Sequence, residues 1–167
     1  MEFFLKLNMI FYYYLKDMGD GLGTYIKINN AIIKEQSIIN IGNSYLAFSF
    51  NMISKNNKED ISKKLLFLKI FNENKEFHPI ILGKNKNVYL IGRSKDSDII
   101  IEDDFLSKIN CFLYNNNSNW NIQDGDQNGI KSTNGTWLYA SEDFEIFDDM
   151  VFRSNNYNFY CKFSSNL

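Results

Sequence analysis

The sequence has few of the residues that define fibrous, disulfide-stabilised or metal-binding proteins. It contains one proline and nine glycines in 167 residues, which excludes collagen-like and proline-rich filaments. Cys111 and Cys161 allow at most one disulfide, and no CxxC or Cys/His cluster occurs, so we expect both to be small buried apolar side chains. The single histidine, His78, has no second ligand at a useful spacing and is expected in a surface loop. The sequence therefore predicts no metal site and no cofactor.

A strong excess of charge of either sign is also absent. Lys and Arg total 18 against 20 Asp and Glu, which gives a net charge of -2, so no global basic field attracts nucleic acid or an anionic membrane. Residues 1–15 are apolar, but they include Glu2 and Lys6, lack a small-residue cleavage site, and are too few to span a bilayer. We expect an intracellular protein of the cytoplasm or nucleus, without nucleic-acid or membrane partners, in which any anion site is local.

Aromatic and β-branched residues, by contrast, are abundant. Hydrophobic residues make up 44% and aromatic residues 16% of the chain, which favours a buried core between pleated sheets. Short apolar runs recur between turn signals, and no dozen residues show helical periodicity with caps, so we predict an all-β fold. The predicted strands are residues 10–15, 25–28, 37–41, 45–50, 65–71, 80–82, 88–91, 98–101, 110–114, 120–123, 136–139 and 157–163.

The chain also contains a weak internal repeat around a polar linker at residues 55–64. Gly23-Thr24 and Gly135-Thr136 each open a predicted strand after a turn, and the sequences downstream of both share a pattern. We predict that residues 1–54 are a partial repeat that holds only the closing strands of a sandwich, and that residues 65–167 form the complete domain. Because about fifty residues bury too little surface to close a sandwich, the partial unit is expected either to dock on that domain or to be a truncated remnant.

Three separated motifs in the second half carry the functional signal: Gly92-Arg93 after an apolar run, Ser107-Lys108-Ile109-Asn110, and Thr133-Asn134-Gly135. Their order and spacing resemble those of the forkhead-associated (FHA) domain, and the resemblance covers roughly residues 60–167. Domains of this family are β-sandwiches of about eleven mostly antiparallel strands, whose loops at one end bind phosphothreonine peptides. The resemblance implies the same sandwich here and a phosphothreonine-peptide-binding interaction module in intracellular signalling, not an enzyme.

The resemblance also implies a role for each motif residue toward a threonine-phosphorylated protein segment. One of them, Asn134, would hold the peptide main chain, because an amide both donates and accepts hydrogen bonds. A phosphothreonine carries a charge of about -1.5 to -2 and three strong acceptor oxygens, which cationic and hydroxyl donors bind by charge-assisted hydrogen bonds. The residues that would face the phosphate are Arg93, Ser107, Lys108 and Thr133.

Three further residues are expected to shape the site without contacting the phosphate: Gly92, Asn110 and Gly135. The glycines suit turns that need a positive φ or a close backbone approach. Asn110 stands where the family pattern has histidine. In the family, that histidine supports the serine loop. Asparagine also donates and accepts hydrogen bonds, with a shorter reach, so we expect a difference in the serine loop and in affinity rather than in fold.

The local charge leaves a second interpretation open. Residues 93–134 hold four basic and seven acidic side chains, a net of -3, so long-range attraction of a phosphate is weak. Together with Asn110 and the partial repeat, this favours a degenerate FHA domain that acts as a phosphate-independent interaction or scaffold module. The N-terminal unit, with Leu22 where the complete domain has Asn134, is predicted not to bind phosphopeptides.

The remaining chemistry-bearing residues have structural interpretations. Trp120 and Trp137 lie in alternating runs and are expected in the core. The acidic runs 102–104 and 148–149 are expected to be solvated turns rather than acid–base pairs or metal ligands. Because the sequence has no nucleotide-binding loop, no GxSxG and no candidate nucleophile, it indicates no catalytic residue.

Overall fold

The computed structural model is an all-β molecule. The described residues are 12–19, 21–52, 64–72, 75–76, 78–83, 85–116 and 119–163. None of them is helical, so none forms a helix that could cross a membrane, and the predicted fold class is confirmed. The predicted linker, except Lys64, and the first two residues of the predicted strand 10–15 lie outside the described residues.

The described residues form sixteen strands. They are β1 (Tyr14–Leu15), β2 (Thr24–Ile28), β3 (Asn30–Ile32), β4 (Ile38–Ile41), β5 (Ser44–Met52), β6 (Lys64–Asn72), β7 (Lys75–Glu76), β8 (Ile80–Leu82), β9 (Val88–Gly92), β10 (Ile99–Ile100), β11 (Cys111–Asn115), β12 (Trp120–Asp124), β13 (Thr136–Tyr139), β14 (Phe144–Glu145), β15 (Val151–Ser154) and β16 (Tyr157–Tyr160). The sequence predicted the longer apolar strands, and it missed β3, β7, β14 and β15, which are short or carry polar residues.

Two sheets form a sandwich. The smaller sheet has the order β10-β9-β11-β12-β3 and the larger sheet the order β16-β15-β2-β13-β4-β5-β6-β7, with β8 paired to β6. All strand pairs are antiparallel except β9 with β10. This mostly antiparallel sandwich is the architecture that the resemblance to FHA domains implied.

The core lies between the inner faces of the two sheets. Fully buried side chains of the larger sheet, including Ile39 and Leu46, pack in one cluster with fully buried side chains of the smaller sheet, including Ile91 and Leu113. Their alternation along each strand follows from the two-residue period of side chains in a β-sheet. Fully burying one such side chain contributes about 1.5–3 kcal/mol, so this cluster stabilises the sandwich.

The burial of the singled-out core candidates is confirmed with one exception. Trp120 is buried in this cluster, Trp137 is buried but belongs to neither apolar cluster, and His78 is exposed as expected. Cys111 is fully buried, and this burial raises the pKa of its thiol far above the ordinary value. Cys161 is only partly buried, because it packs at the margin of a second, smaller apolar cluster; both cysteines are free.

Strands from the N-terminal segment lie inside the larger sheet. β4 and β5 separate β13 from β6, and β2 lies between β13 and β15. Hydrogen bonds of the larger sheet therefore join strands from both sides of the predicted domain limits at residues 54 and 65. The division into these domains remains a prediction.

Two hairpins of the larger sheet pair with its central strands in the same manner. β4 begins the hairpin β4-β5 and pairs with β13, whereas β15 begins the hairpin β15-β16 and pairs with β2. The paired residues are Trp137 with Asn40, Leu138 with Ile39, Tyr25 with Arg153, and Ile26 with Phe152. The N-terminal hairpin therefore pairs with β13, which follows Gly135, and the C-terminal hairpin pairs with β2, which follows Gly23. The predicted sequence repeat itself is not tested by this pairing.

Asp98 fixes the segment between β9 and β10, which leads into the loops at one end of the sandwich. Its carboxylate accepts a hydrogen bond from the Leu90 N–H at 2.8 Å and pairs with the Lys86 ammonium. Partial burial acts to raise the pKa of Asp98, but the bonds to Lys86 and Leu90 outweigh it, so the pKa lies below the ordinary value. The ionised carboxylate therefore stabilises the folded state.

We expect the contribution of Asp98 to stability to depend on pH. A lowered pKa contributes stability above the unfolded pKa of about 4, and this contribution is lost as the pH falls through the folded pKa. Asp98→Asn should thus lower the free energy of unfolding by about 1 kcal/mol at pH 7 and by much less near pH 3. Urea unfolding of both proteins at the two pH values measures this, and an equal loss at both would contradict it.

Candidate functional site

The loop after β9 and the loop before β11 meet at one end of the sandwich. The Arg93 N–H donates to the Ser107 carbonyl at 3.2 Å, and the Ser94 N–H donates to the Lys108 carbonyl at 3.1 Å. These two backbone bonds hold the first two predicted motifs side by side, although fourteen positions separate Arg93 from Ser107 in the sequence.

Gly92 permits this close approach. A Cβ atom at position 92 would lie 2.2 Å from the Lys108 carbonyl oxygen and 2.9 Å from the Ile109 Cα. Both are backbone atoms, which cannot move aside as a flexible side chain can. Glycine at this position therefore follows from the packing of one loop against the other, which is one of the two reasons that the sequence suggested.

The third motif, which begins at Thr133, is joined to the second by hydrogen bonds with the Ser107 hydroxyl group. The Thr133 N–H donates to the Ser107 Oγ at 2.9 Å, and the two hydroxyl oxygens lie 3.3 Å apart within hydrogen-bond distance. Thr133 is exposed and Ser107 is half-buried. The two hydroxyl groups thus form an adjacent pair at the surface, on loops that lie 26 positions apart in the sequence.

Asn110 supports the serine loop from below. Its side chain is fully buried, its Oδ1 accepts from the Ser107 N–H at 3.4 Å, and its Nδ2 donates to the Thr136 Oγ1 at 3.5 Å. Both bonds are long, as expected for a side chain of short reach. The residue that replaces the family histidine therefore still connects the serine loop with β13.

A buried carboxylate that the sequence reasoning missed orders the Thr133 loop. Asp124 is 4% exposed and accepts hydrogen bonds from the Ser132 hydroxyl at 2.5 Å and from the Thr136 hydroxyl at 2.8 Å. Ser132 in turn accepts from the Gly135 N–H at 2.9 Å, and Gly135 has a φ of 81°. An aspartate at the end of an apolar strand, followed by a hydroxyl-rich turn, was the available signal. The turn is thereby held with Thr133 outward.

Arg93 is an exposed cation of this arrangement. Its Nε donates to the Leu106 carbonyl at 2.7 Å, which fixes the plane of the guanidinium group beside the serine loop. No carboxylate of the described residues pairs with it, and its terminal amino groups have no hydrogen-bond partner among those residues. A planar cation with free donors can bind an anion by two parallel hydrogen bonds.

Asn134 and Lys108 complete the predicted set. Both are exposed. The Asn134 Nδ2 donates to the Phe105 carbonyl at 2.8 Å, which leaves its side-chain oxygen as an acceptor toward solvent. Lys108 forms no salt bridge with any residue that the structure describes. The structure thus places all five predicted binding residues on adjoining loops at one end of the sandwich.

The expectation that residues 102–104 form a solvated turn is wrong for Asp103. Its side chain is buried, because its carboxylate accepts from the Asn43 N–H and the Ser44 hydroxyl, each at 2.8 Å, and from the Phe105 N–H at 2.9 Å. Asp103 therefore ties the serine loop to the turn between β4 and β5. The sequence carries a weak local signal for this role, an aspartate that bonds the N–H two positions later.

The other acidic residues of these runs are exposed as expected. They are Glu102, Asp104, Asp148 and Asp149. No three His, Cys, Asp or Glu side chains come together as a metal site in the part of the chain that the structure describes.

Comparison with known proteins supports the same family as the motifs. Residues 89–146 match the family model of the FHA domain, a range that contains all eight predicted site residues. No curated protein and no solved structure matches the chain. FHA domains are protein-interaction modules rather than catalytic domains. The matching segment carries the three motifs on adjoining loops of an antiparallel sandwich, and residues 89–146 are therefore similar to an FHA domain in both sequence and architecture.

Proposed function

We propose that this protein is a phosphothreonine-peptide-binding interaction module of intracellular signalling. The observation that carries the proposal is the hydroxyl pair of half-buried Ser107 and exposed Thr133 next to the loop of Arg93. A hydroxyl pair beside a guanidinium group with free donors offers the hydrogen-bond donors that a phosphate group needs. No acidic side chain pairs with this cation among the described residues, so its charge is available to a ligand.

The proposed mechanism combines charge with main-chain contacts. Arg93 and Lys108 would neutralise most of the phosphate charge of about -1.5 to -2, while the hydroxyl groups donate to its oxygens. The free side-chain oxygen of Asn134 would accept an N–H of the extended peptide. The net charge of -3 over residues 93–134 weakens long-range attraction, so affinity depends on these short contacts, which salt screens less.

Titration calorimetry with a phosphothreonine peptide and its unphosphorylated form tests this proposal. We expect binding of the phosphorylated form only, and Arg93→Ala should weaken it by about 10- to 100-fold. This range corresponds to the loss of a hydrogen bond to a charged group, about 1.5–3 kcal/mol. The best-bound member of an array of phosphothreonine peptides serves as the probe.

Lys34→Ala is the charge-matched control for Arg93→Ala. Lys34 follows β3 near Trp120, at the end of β12 opposite to Asp124 and the motif loops. Its removal changes the net charge by the same amount as Arg93→Ala. The affinity should stay within about twofold, because the effect of a surface charge at the opposite end of β12 is screened by salt. Equal weak binding of both peptide forms, or equal effects of the two variants, would contradict the proposal.

A phosphate-independent scaffold module is the second candidate function. The local acidic excess around the motif loops favours it. Binding of a natural partner that survives phosphatase treatment, with Arg93→Ala at full affinity, would support this candidate against the first.

A further inference from the structure

A groove of about 760 Å³ opens on the outer face of the larger sheet. Asn40 and Tyr45 face it, on the side of β4 and β5 opposite to the core residues Ile39 and Leu46. Trp137 and Tyr25, on the two central strands, form part of its floor. The lining is otherwise rich in asparagine, so the groove offers aromatic surface and amide groups together.

Arg153 is the only charged residue among the described residues that line the groove. Its guanidinium group lies 4.5 Å from the centre of a Trp137 ring and 5.5 Å from that of Tyr25, and it donates to the Asn40 Oδ1 at 2.6 Å. No carboxylate pairs with it among the residues that the structure describes. The groove therefore holds a half-buried cation without a counter-ion.

The titration behaviour of the groove agrees with this geometry. Partial burial lowers the pKa of the Arg153 guanidinium below its ordinary value, as expected for a cation removed from water, although it stays charged at neutral pH. Burial and the neighbouring Tyr45 and Tyr139 raise the pKa of Tyr25 to about 12. Tyr25 is consequently neutral at physiological pH and supplies no negative charge to Arg153.

The groove is continuous with the candidate phosphothreonine site. Asn134 belongs to both, since its side chain bonds the Phe105 carbonyl beside the serine loop and also lines the groove. Phe105, 58% exposed, lines the groove at the same edge. An extended peptide held by Asn134 therefore has a direct path along the sheet toward Arg153.

We propose that this groove binds an acidic side chain of the same phosphothreonine peptide, with its carboxylate on the guanidinium group of Arg153. The inference rests on the proposed function and adds a sequence requirement to it, an aspartate or glutamate that flanks the phosphothreonine. The carboxylate provides the counter-ion that the groove lacks, and the guanidinium group offers it the paired donors of a bidentate contact.

The charge of the groove favours a carboxylate over a second phosphate. One cation balances one negative charge, whereas a phosphate of nearly two charges would remain partly uncompensated beside aromatic rings. The exposed side chains of Asn43, Asn156 and Asn158 can donate to and accept from the peptide main chain at the same time. The groove thus suits an extended segment with one acidic residue.

The first arm of the test uses the unaltered protein and an array of phosphothreonine peptides in which single positions carry either glutamate or glutamine. We expect at least one flanking position at which the glutamate peptide binds about five- to tenfold more tightly. In NMR spectra, the glutamate peptide should also shift the Trp137 indole N–H, which lies under Arg153 and bonds the Asn134 carbonyl at 2.8 Å. The glutamine peptide should shift it less.

The second arm uses variants. Arg153→Met should abolish the preference for glutamate, Arg153→Lys should reduce it, and Lys162→Met, which removes a charge next to the same hairpin, should keep it. Arg93→Ala should weaken both peptides equally and leave the preference intact. No preference in the unaltered protein, or a preference that survives Arg153→Met, overturns the inference while phosphopeptide binding stands. If no phosphopeptide binds at all, both the inference and the proposed function are wrong.

Discussion

Leu46→Ala is expected to lower the free energy of unfolding by about 3–4 kcal/mol, the usual effect of removing a fully buried leucine side chain. Leu46 is 0% exposed and packs in the main core cluster, although it belongs to the N-terminal segment. Because β5 lies between β4 and β6, the cavity opens inside the sandwich, where neighbouring strands cannot collapse onto it. Urea denaturation monitored by tryptophan fluorescence measures the loss.

Phe159→Ala is the matched control. Phe159 is the third residue after the turn of β15-β16, as Leu46 is after the turn of β4-β5, but it is 44% exposed and stacks on Phe152 with the ring centres 4.8 Å apart. Its loss should cost only about 1 kcal/mol, from one partly exposed aromatic pair. If Phe159→Ala lowered the free energy of unfolding more than Leu46→Ala, the hairpin β15-β16 would contribute more to the core than the hairpin β4-β5, which would contradict the prediction.

The sequence was most informative where local patterns decide the structure. Strands such as β6 and β13 follow from apolar alternation between turn signals. The motif residues around Arg93, Ser107 and Thr133 were identifiable because their types and spacing belong to loops that act together. Even the replacement at Asn110 could be interpreted, since an asparagine can make the same kinds of bond as a histidine.

The rest depends on contacts between segments far apart in the chain. Asp103 is buried only because the turn at Asn43 lies against it, and no local pattern states which turn will pack there. Likewise, no local pattern states that the hairpin β4-β5, rather than the similar hairpin β15-β16, pairs with β13. Arg153 was not recognised because the groove around it exists only after both hairpins have joined the larger sheet.

Gly92→Ala is expected to be the most damaging single change at the motif loops. A Cβ atom 2.2 Å from the Lys108 carbonyl oxygen must push two backbone segments apart. The bonds from Arg93 N–H to Ser107 and from Ser94 N–H to Lys108 would then lengthen or break. We expect a loss of at least about 3 kcal/mol, at the upper end of overpacking effects, and a fall in melting temperature of roughly 6–12 °C.

Gly129→Ala separates this close approach from backbone strain. Gly129 has a φ of 87°, so alanine is strained there, but its Cβ would meet nothing within 4 Å. Its cost should stay near 1 kcal/mol. Gly92, in contrast, has no positive φ, so its whole effect comes from contact with the serine loop.

Thermal unfolding and phosphopeptide titration of both variants distinguish the two causes. Gly92→Ala should lose affinity together with stability, because the same shift moves Arg93 away from Ser107, whereas Gly129→Ala should keep its affinity. Similar behaviour of the two variants would show that the contact between the Arg93 and Ser107 loops is looser than the structure has it.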